Sequence, residues 1–123
     1  MDDIEESVKK FQKAMAAGTS SLVLLSVLAR AEEPMYGYQI AKLIEAGFHE
    51  TGIIKQGALY PVLRSMESAG LLHSEVEPSV SGPPRRYYRI TDAGRATLGR
   101  WEEVWDQTRQ FVETILKGGE GNG

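Results

Sequence analysis

The sequence predicts a mainly α (α+β) fold, a winged helix-turn-helix with an added amino-terminal helix and a long carboxyl-terminal dimerisation helix. Apolar residues recur with helical spacing over most of the chain. Residues 56–72, QGALYPVLRSMESAGLL, are typical of a helix that ends at a glycine, and residues 85–91, RRYYRIT, of the basic return strand of a hairpin. Three helices followed by strand, loop and strand is the order of a winged helix-turn-helix, in which a recognition helix and a wing face DNA.

Composition limits the class of protein. A chain of 123 residues, 41% of them hydrophobic, fits one soluble domain with a buried core. The absence of Cys excludes a disulfide framework, a thiolate zinc site and a cysteine nucleophile. The acidic start is unlike a signal peptide, and the longest apolar run is much shorter than a bilayer span, so we expect a cytoplasmic protein that does not enter a membrane.

Two helices are predicted before Pro34. An amino-terminal helix within residues 1–17 carries an apolar stripe at steps of four, three and four: Ile4, Val8, Phe11 and Met15. Gly18 is expected to end it, and the next helix is expected to be capped by Thr19, Ser20 or Ser21. Residues 20–31 are apolar on nearly every face, which predicts the central core helix. Glu32-Glu33-Pro34 ends it, because proline has no amide hydrogen to donate.

Two more helices are predicted before the hairpin. Tyr36-Gly37-Tyr38 opens the first, which ends near Gly47 and buries Ile40, Leu43 and Ile44. Ile53 and Ile54 then form a short strand or fill the core. The second begins near Gly57, because a proline such as Pro61 is tolerated in the first turn of a helix. Its inward residues are Leu59, Val62, Leu63 and Met66, and its outward residues are Tyr60, Arg64, Ser65 and Ser68.

The hairpin completes the predicted DNA-binding domain, residues 18–91. Gly70 is expected to cap the preceding helix, residues 71–76 and 86–90 are expected to be strands, and residues 78–84 are expected to be the loop. Tyr87 and Tyr88 must point to opposite faces of their strand, so we expect one in the core and one at the surface.

The carboxyl-terminal helix, residues 92–117, predicts a homodimer. Thr91 or Asp92 is its expected cap, and Val104 and Phe111 widen its apolar seam. One small domain offers no place to bury two tryptophans on a terminal helix, so a second subunit is expected to cover them. The expected interface contains Ile4, Val8, Phe11, Leu98, Trp101, Trp105, Thr108, Val112 and Ile115. Such a dimer would bind a palindromic site with half-sites roughly 34 Å apart. Residues 118–123 are expected to be a disordered tail.

The formal net charge of −3 is unevenly distributed. Residues 52–95 carry six Lys or Arg against four Asp or Glu, a balance of +2. Residues 1–17, 18–51 and 96–123 balance at −1, −2 and −2. Affinity for nucleic acid follows local charge, because each neutralised phosphate releases counterions. The predicted recognition helix and wing therefore lie in the positive part of an acidic chain, which predicts a modest, salt-sensitive DNA footprint.

Three segments carry a family resemblance: YGYQI (36–40), GALYPVLRSMESAGLL (57–72) and PPRRYYRITDAG (83–94). In order and spacing they resemble the PadR family of winged-helix transcriptional regulators, over about residues 20–94. The short amino-terminal helix and single carboxyl-terminal helix are similar to the small PadR subfamily, which includes multidrug-sensing members. The resemblance implies a DNA-binding regulator, with repression favoured over activation.

The resemblance also implies which residues contact double-stranded DNA. The amino end of the recognition helix would enter the major groove, with Lys55, Gln56, Ala58 and Leu59 nearest the base edges. Gln56 suits a bidentate contact to adenine. The expected phosphate contacts are Tyr60 and Arg64 on this helix, and Tyr38 and Gln39 at the start of the preceding one.

The wing arginines Arg85 and Arg86 are expected at the DNA backbone or in the minor groove. The alternative for Arg64 and Arg86 is that they are solvated surface charges.

A small aromatic effector is the second implication. In multidrug-sensing relatives, flat aromatic compounds enter between the subunits and stack on a tryptophan of the carboxyl-terminal helix. Trp105 lies at the matching distance from Thr91-Asp92-Ala93-Gly94, and the candidate effector site contains Phe11, Met15, Trp101, Trp105 and Arg109. Arg109 replaces an acid of some relatives, which favours anionic or neutral aromatics over cationic ones. The alternative is that Trp101 and Trp105 only pack the dimer core.

Catalytic and metal chemistry is not predicted. His49 and His73 are isolated in sequence, so we expect no metal and no cofactor. Neither a Ser/His/Asp order nor a phosphate-binding glycine loop is present, so we do not expect an enzyme. An alternative of another class remains, a winged-helix protein-interaction module without its own operator, because Ala58 and Leu59 at the front of the recognition helix are neutral.

Overall fold

The computed structural model describes residues 2–48 and 56–118. In these ranges the elements are α1 (Asp2–Arg30), β1 (Met35–Tyr36), α2 (Gly37–Phe48), α3 (Gln56–Ser68), β2 (Leu72–Ser79), β3 (Gly82–Ile90) and α4 (Asp92–Leu116). The strands form one antiparallel sheet in the order β1-β3-β2. The predicted mainly α winged helix is confirmed. The predictions for Lys55, Ile53, Ile54, His49 and residues 119–123 lie outside the described residues.

Helix α1 is continuous, and the predicted break at Gly18 is wrong. The expected capping residue Thr19 instead donates its hydroxyl to the carbonyl of Met15, at 2.7 Å, within the helix. Ser26 makes the same bond to Leu22, also at 2.7 Å. Serine and threonine side chains that bond back to the preceding turn satisfy themselves without ending a helix. The amino-terminal helix and the core helix are therefore one 29-residue element.

Because it is continuous, α1 has the length and composition that could cross a bilayer, although its longest uninterrupted apolar run is much shorter than a bilayer span. Its carboxyl-terminal half is instead part of the protein core, where Leu24, Leu25 and Leu28 are buried. Core helices of soluble proteins can have the same length and hydropathy, although only 17% of the most apolar 18-residue stretch of α1 is buried in this chain. We therefore interpret α1 as a core helix that extends into an exposed apolar stripe.

The chain between α1 and α2 forms a third strand that the sequence did not predict. Met35 pairs with Tyr88 and Tyr36 pairs with Tyr87, so β1 lies along β3 and α2 begins at Gly37. Ile40 and Ile44 of α2 are buried as predicted, but Leu43 is 52% exposed. Residues 40 and 44 are one turn apart and share a face, from which residue 43 is rotated.

The recognition helix α3 packs as predicted. Leu59, Leu63 and Met66 are buried, and Pro61 is the sixth helical residue, in the second turn rather than the first. Gly70 ends the helix with a φ of +84°. The amides of Gly70 and Leu71 donate to the carbonyls of Glu67 and Met66, both at 2.9 Å. These paired bonds form a Schellman motif, which confirms the predicted glycine cap.

The wing is longer than predicted. Strands β2 and β3 pair from Leu72 with Ile90 to Ser79 with Gly82, so the predicted loop 78–84 is reduced to a turn at residues 80–81. The register shifts between Glu77 and Ser79, which accommodates a proline at position 78. Pro83 and Pro84 lie on the part of β3 beyond its pairing with β1, where a missing amide hydrogen costs little.

One hydrophobic core joins all the helices to the base of the wing. Its buried residues are Leu24, Leu25, Leu28, Ile40, Ile44, Leu59, Leu63, Met66, Leu72, Tyr88, Ile90 and Leu98. Tyr88 is in the core and Tyr87 is only half-buried, which confirms the predicted alternation. The wing is therefore anchored in the same core as α3.

The start of α4 is fixed against the end of α3. Thr91 is its N-cap and accepts a hydrogen bond from the amide of Gly94 at 2.9 Å, as predicted. The Thr91 hydroxyl lies 2.7 Å from the carbonyl of Gly70, to which it donates. The backbone of Gly94 approaches the Leu71 carbonyl so closely that a β-carbon there would overlap it. The direction of α4 is thus determined by the winged-helix core.

Candidate nucleic-acid interface and interhelical cleft

A cleft of about 630 Å³ opens between the start of α2, the outer face of α3 and strand β3. We call it the wing cleft; it is lined by Tyr36, Gly37, Tyr38, Tyr60, Arg64, Glu67, Pro84, Arg85, Arg86 and Tyr88. Five residues predicted to contact DNA therefore lie around one cleft: Tyr38, Tyr60, Arg64, Arg85 and Arg86. Three arginines against one glutamate make this surface positive.

Tyr60 is held against the first residue of α2. A β-carbon built on Gly37 would lie 2.5 Å from Cε1 and Oη of the Tyr60 ring. Only glycine permits this approach without displacement of the ring. The contact brings the Tyr60 hydroxyl to the amino end of α2, where free amides and the helix dipole favour an anion.

An aromatic cluster joins β1, α2 and β3. The rings of Tyr36 and Tyr38 stack with centroids 6.5 Å apart, and Tyr87 meets Tyr36 edge-on at 5.4 Å. The Arg85 guanidinium lies 4.4 Å from the centroid of Tyr36, and Lys42 Nζ lies 5.7 Å from that of Tyr38. These cation–π contacts keep two positive charges beside the cleft. Sequence reasoning missed Lys42, although its position four residues after Tyr38 places both on one helix face.

The two wing arginines are in different environments. Except at the register shift near Ser79, side chains alternate between the two faces of the hairpin. Arg85 therefore lies on the face of Tyr87, and Arg86 lies on the face of Tyr88. Arg86 Nη1 donates to Ser74 Oγ at 2.9 Å, and Ser74 Oγ donates to Glu67 Oε2 at 2.7 Å. Arg86 is therefore not simply a solvated charge, the alternative left open by the sequence. Sequence reasoning missed Ser74 and Glu67.

The other residues predicted to contact DNA include three at the starts of α2 and α3: Gln39, Gln56 and Ala58. Gln39 Oε1 accepts the backbone amide of Tyr36 at 3.0 Å, the glutamine arm of a capping box, which leaves its NH₂ group to donate. Ala58 is exposed near the start of α3. Gln56 begins α3, but its side chain, like Lys55, is outside the described part of the structure.

The floor of the wing cleft is a neutral phenol. Tyr88 is 3% exposed, and this burial raises the pKa of its hydroxyl above the usual value of 10.0. The negative charge of Glu67 raises the pKa further, while Arg86 and Arg64 act in the opposite direction. The phenol is therefore uncharged at neutral pH and does not offset the positive charge of the arginines that line the cleft.

A second cleft, of about 750 Å³, lies between the middle of α1, residues 11–22, and residues 101–113 of α4. We call it the interhelical cleft. Its lining includes all five candidate effector residues: Phe11, Met15, Trp101, Trp105 and Arg109. The walls between them are apolar or small, with Leu22, Val104, Val112, Ala14 and Gly18. Trp101 packs against the core, whereas Trp105 is 40% exposed.

Arg109 at the rim of this cleft is paired on its own helix. Its Nη2 lies 2.6 Å from Asp106 Oδ1, and its Nη1 lies 3.1 Å from Glu113 Oε1. The hydrogen bond with Asp106 and the charge of Glu113 raise the pKa of the guanidinium. Since Glu113 also lines the cleft, Arg109 does not present an unopposed positive charge to a ligand.

Helices α1 and α4 also carry an exposed apolar surface that extends beyond the interhelical cleft. Phe11 is 66% exposed and Phe111 is 67% exposed, and the rest of the surface includes Ile4, Val8, Val104, Val112, Ile115 and Leu116. Leu98, predicted for the same seam, is instead buried in the core of its own chain. Soluble monomers rarely leave so large an apolar surface in water.

The remaining titratable groups form no metal site within residues 2–48 and 56–118. His73 Nε2 lies 3.2 Å from Glu75 Oε2, and both side chains are exposed on the wing.

The three-helix core, the paired wing and the positive cleft between them define a winged-helix DNA-binding protein. Comparison with known proteins specifies the family. The model of the Transcriptional regulator PadR-like family matches residues 24–100. The chain belongs to this family, and it is a DNA-binding transcriptional regulator rather than an enzyme.

Two solved structures are similar to this chain over most of its length, and one further relative is similar over a shorter segment. A PadR family transcriptional regulator from Eggerthella lenta is 34% identical with a TM-score of 0.79, over 94% of this chain and 97% of that one. A PadR-like transcriptional regulator from Bacillus cereus is 30% identical with a TM-score of 0.66, over 84% and 96%. Transcriptional regulator Rv3488 of Mycobacterium tuberculosis is 51% identical over 45 residues, which are 37% of this chain and 41% of that protein.

Proposed function

We propose that the protein is a cytoplasmic homodimeric repressor that binds a palindromic operator and releases it when a small planar aromatic molecule occupies the interhelical cleft. The observation that carries the DNA-binding part is the wing cleft. It gathers Arg64, Arg85 and Arg86 with the hydroxyls of Tyr38 and Tyr60. Phosphate contacts of this kind position a recognition helix, while its amino end reads the bases.

The wing cleft suits a phosphate of the DNA backbone. Arginine presents a planar fork of donors to an anion, and the adjoining amino end of α2 adds the helix dipole. With the net charge of −3 over the chain, binding rests on this local surface and is strongly weakened by salt.

The homodimer is supported by the exposed surface on α1 and α4. The exposed apolar side chains lie on parts of α1 and α4 outside the winged-helix core. Both helices are long enough for α1 and α4 of one copy to pack along those of a second copy. A two-fold dimer presents two recognition helices, which matches a palindrome with half-sites roughly 34 Å apart. Repression needs only occupation of such a site, so we favour it over activation.

The effector is proposed to be a neutral planar aromatic compound. The interhelical cleft offers the half-exposed face of Trp105 among apolar walls. Because Arg109 is already paired with Asp106 and Glu113, an anionic ligand would have to compete with two carboxylates. This narrows the expectation of anionic or neutral aromatics to neutral ones. The packing alternative assigns Trp105 to the dimer core alone.

A gel-shift experiment tests the operator. The wild-type protein, Arg85→Ala and Arg86→Ala are titrated against the DNA upstream of the protein's own gene and against a shuffled duplex of equal length. We expect a salt-sensitive complex with the upstream DNA that both substitutions weaken. No complex, or one that neither substitution changes, would contradict the proposal. A stoichiometric protein partner in a pull-down, without DNA binding, would favour the interaction module instead.

Tryptophan fluorescence tests the effector. A neutral planar dye should quench wild-type emission and reduce operator binding at the same concentrations. Trp105→Phe should lose most of the quenching, whereas Trp101→Phe should retain it, because Trp101 packs against the core. Equal quenching in wild type and Trp105→Phe would leave Trp105 with a packing role only.

A further inference from the structure

Ser74 of β2 is a buried polar residue in a mostly apolar neighbourhood. It is 8% exposed and lies on the inner face of the wing, beside Leu72 and opposite Tyr88. A hydroxyl buried at such a site is costly unless it is hydrogen-bonded. Both of its roles are used, since it donates to Glu67 and accepts from Arg86.

These two bonds join three elements of the DNA-binding unit. Glu67 lies in the last turn of the recognition helix α3, Ser74 is on β2 and Arg86 is on β3. The register places Ser74 opposite Tyr88, so Arg86, two residues before Tyr88, is its diagonal neighbour on the same face. The bonds at 2.7 and 2.9 Å therefore connect α3 to both strands of the wing.

The charges at the two ends make this connection stronger than a neutral one. The chain runs from a guanidinium through a hydroxyl to a carboxylate, and hydrogen bonds to ionised groups are shorter and stronger. Glu67 is half-buried and Tyr88 is directly influenced by its charge, so the carboxylate lies against the floor of the wing cleft. Rotation of the wing about its base would break this chain of hydrogen bonds at Ser74.

We propose that Ser74 is a positioning residue that fixes the angle between the wing and the recognition helix, by joining Glu67 to Arg86. The proposal rests on DNA binding as the proposed function. It also gives the wing arginines different parts in that function. Arg86 maintains the wing in place while it lines the cleft, whereas Arg85, on the other face, supplies its charge without contact to Ser74.

Loss of the Ser74 hydrogen bonds should weaken the complex with DNA without changing the number of phosphates that the protein neutralises. Ser74→Ala removes the hydroxyl and leaves every arginine in the chain. We expect operator affinity to fall roughly tenfold, because the wing must be ordered on binding. The slope of log K against log salt should remain at its wild-type value, since the slope counts neutralised phosphates.

The experiment combines amide hydrogen exchange of the free protein with operator binding at several KCl concentrations. Ser74→Thr retains the hydroxyl, and Ser26→Ala is the matched control, because it removes a hydroxyl bond within α1 that touches neither α3 nor the wing. We expect faster exchange in the paired wing residues 72–77 and 85–90 and about tenfold weaker binding for Ser74→Ala only, with Ser74→Thr restoring both.

Wild-type exchange and affinity in Ser74→Ala would overturn the proposal, as would a reduced salt slope. If Ser74→Ala does not fold, Glu67→Gln removes the charged end of the connection. Faster exchange of the wing amides in this free variant would support the proposal, and wild-type exchange would contradict it; operator affinity is not compared for this variant, because Glu67 lines the wing cleft. Failure of the wild type to bind any operator would contradict the proposed function. The exchange of the wing amides in the free protein tests the role of Ser74 separately, because it requires no DNA.

Discussion

The Tyr60 ring occupies the space that a side chain at Gly37 would need. A β-carbon on residue 37 would lie 2.5 Å from the Tyr60 hydroxyl oxygen and 2.7 Å from Cζ. This contact places the recognition helix against the first turn of the preceding helix, with the tyrosine hydroxyl at the amino end of α2. Glycine at position 37 therefore serves the DNA-binding surface.

Gly37→Ala should weaken operator binding with little loss of stability. Tyr60 is 42% exposed, so its ring can move aside from a new methyl group, but it then leaves its position at the wing cleft. Loss of one hydrogen bond to a phosphate corresponds to about 1.5 kcal/mol, or roughly tenfold in affinity. Fluorescence anisotropy measures the affinity, and thermal unfolding measures the stability.

Gly99→Ala is the matched control for that variant. A β-carbon at position 99 of α4 would meet nothing within 4 Å. Alanine in a helix interior is favoured over glycine by about 0.5–1 kcal/mol, so Tm should rise slightly and affinity should stay the same. If Gly37→Ala also binds like wild type, the contact with Tyr60 has no role in recognition.

Gly94→Ala should destabilise the fold. Its β-carbon would overlap the backbone carbonyl of Leu71 and lie 2.7 Å from Ile90 Cγ1, and neither can move like an exposed ring. Overpacking of this kind costs about 1–3 kcal/mol. Urea unfolding should show a lower midpoint with an unchanged slope. A midpoint at the wild-type value would show that the start of α4 is loosely held.

Ile115→Glu should produce a folded monomer. The side chain is 58% exposed in the single chain, so a charge there costs the protomer little but would be buried in the proposed dimer. Sedimentation velocity gives the oligomeric state, and circular dichroism reports the helices. Gln107→Glu, which adds the same charge at an exposed position of α4, should remain dimeric. A wild-type monomer would contradict the proposed interface.

Stability should fall at alkaline pH because of Tyr88. The folded state raises the pKa of this phenol above 10.0, so the folded state holds the proton more tightly than the unfolded chain. The resulting stabilisation is complete below pH 10.0 and is lost as the pH rises through the folded pKa. Urea unfolding between pH 9 and pH 11 should show this decline in wild type and a smaller one in Tyr88→Phe. Equal declines would assign the effect to other groups.

Local pattern predicted the helices and the alternation of Tyr87 and Tyr88, because periodicity and capping residues act over a few positions. It did not predict the continuity of α1 through Gly18, since Thr19 can either cap a helix or bond back to Met15. The strand β1 was also missed, because two residues carry no periodicity and gain their pairing from β3.

The residues of the candidate sites also include some that the sequence predicted and some that it could not predict. The family resemblance indicated Trp105 and Arg109, and the structure places both at one cleft with Phe11. The bonds among Glu67, Ser74 and Arg86 depend on the register of the hairpin. A shift by one residue would move Ser74 to the other face, so a sequence with an uncertain turn cannot specify this contact.

The salt dependence of operator binding tests the central claim most directly. Anisotropy is measured for wild type and Arg85→Ala on the upstream duplex between 50 and 200 mM KCl. The wing cleft predicts a negative slope for wild type, reduced in Arg85→Ala by about 0.9 for each phosphate that the variant no longer neutralises, or roughly 1.8 for a dimer. A wild-type affinity that does not change with salt, or equal slopes for the two proteins, would contradict the assignment of the wing cleft to the DNA backbone.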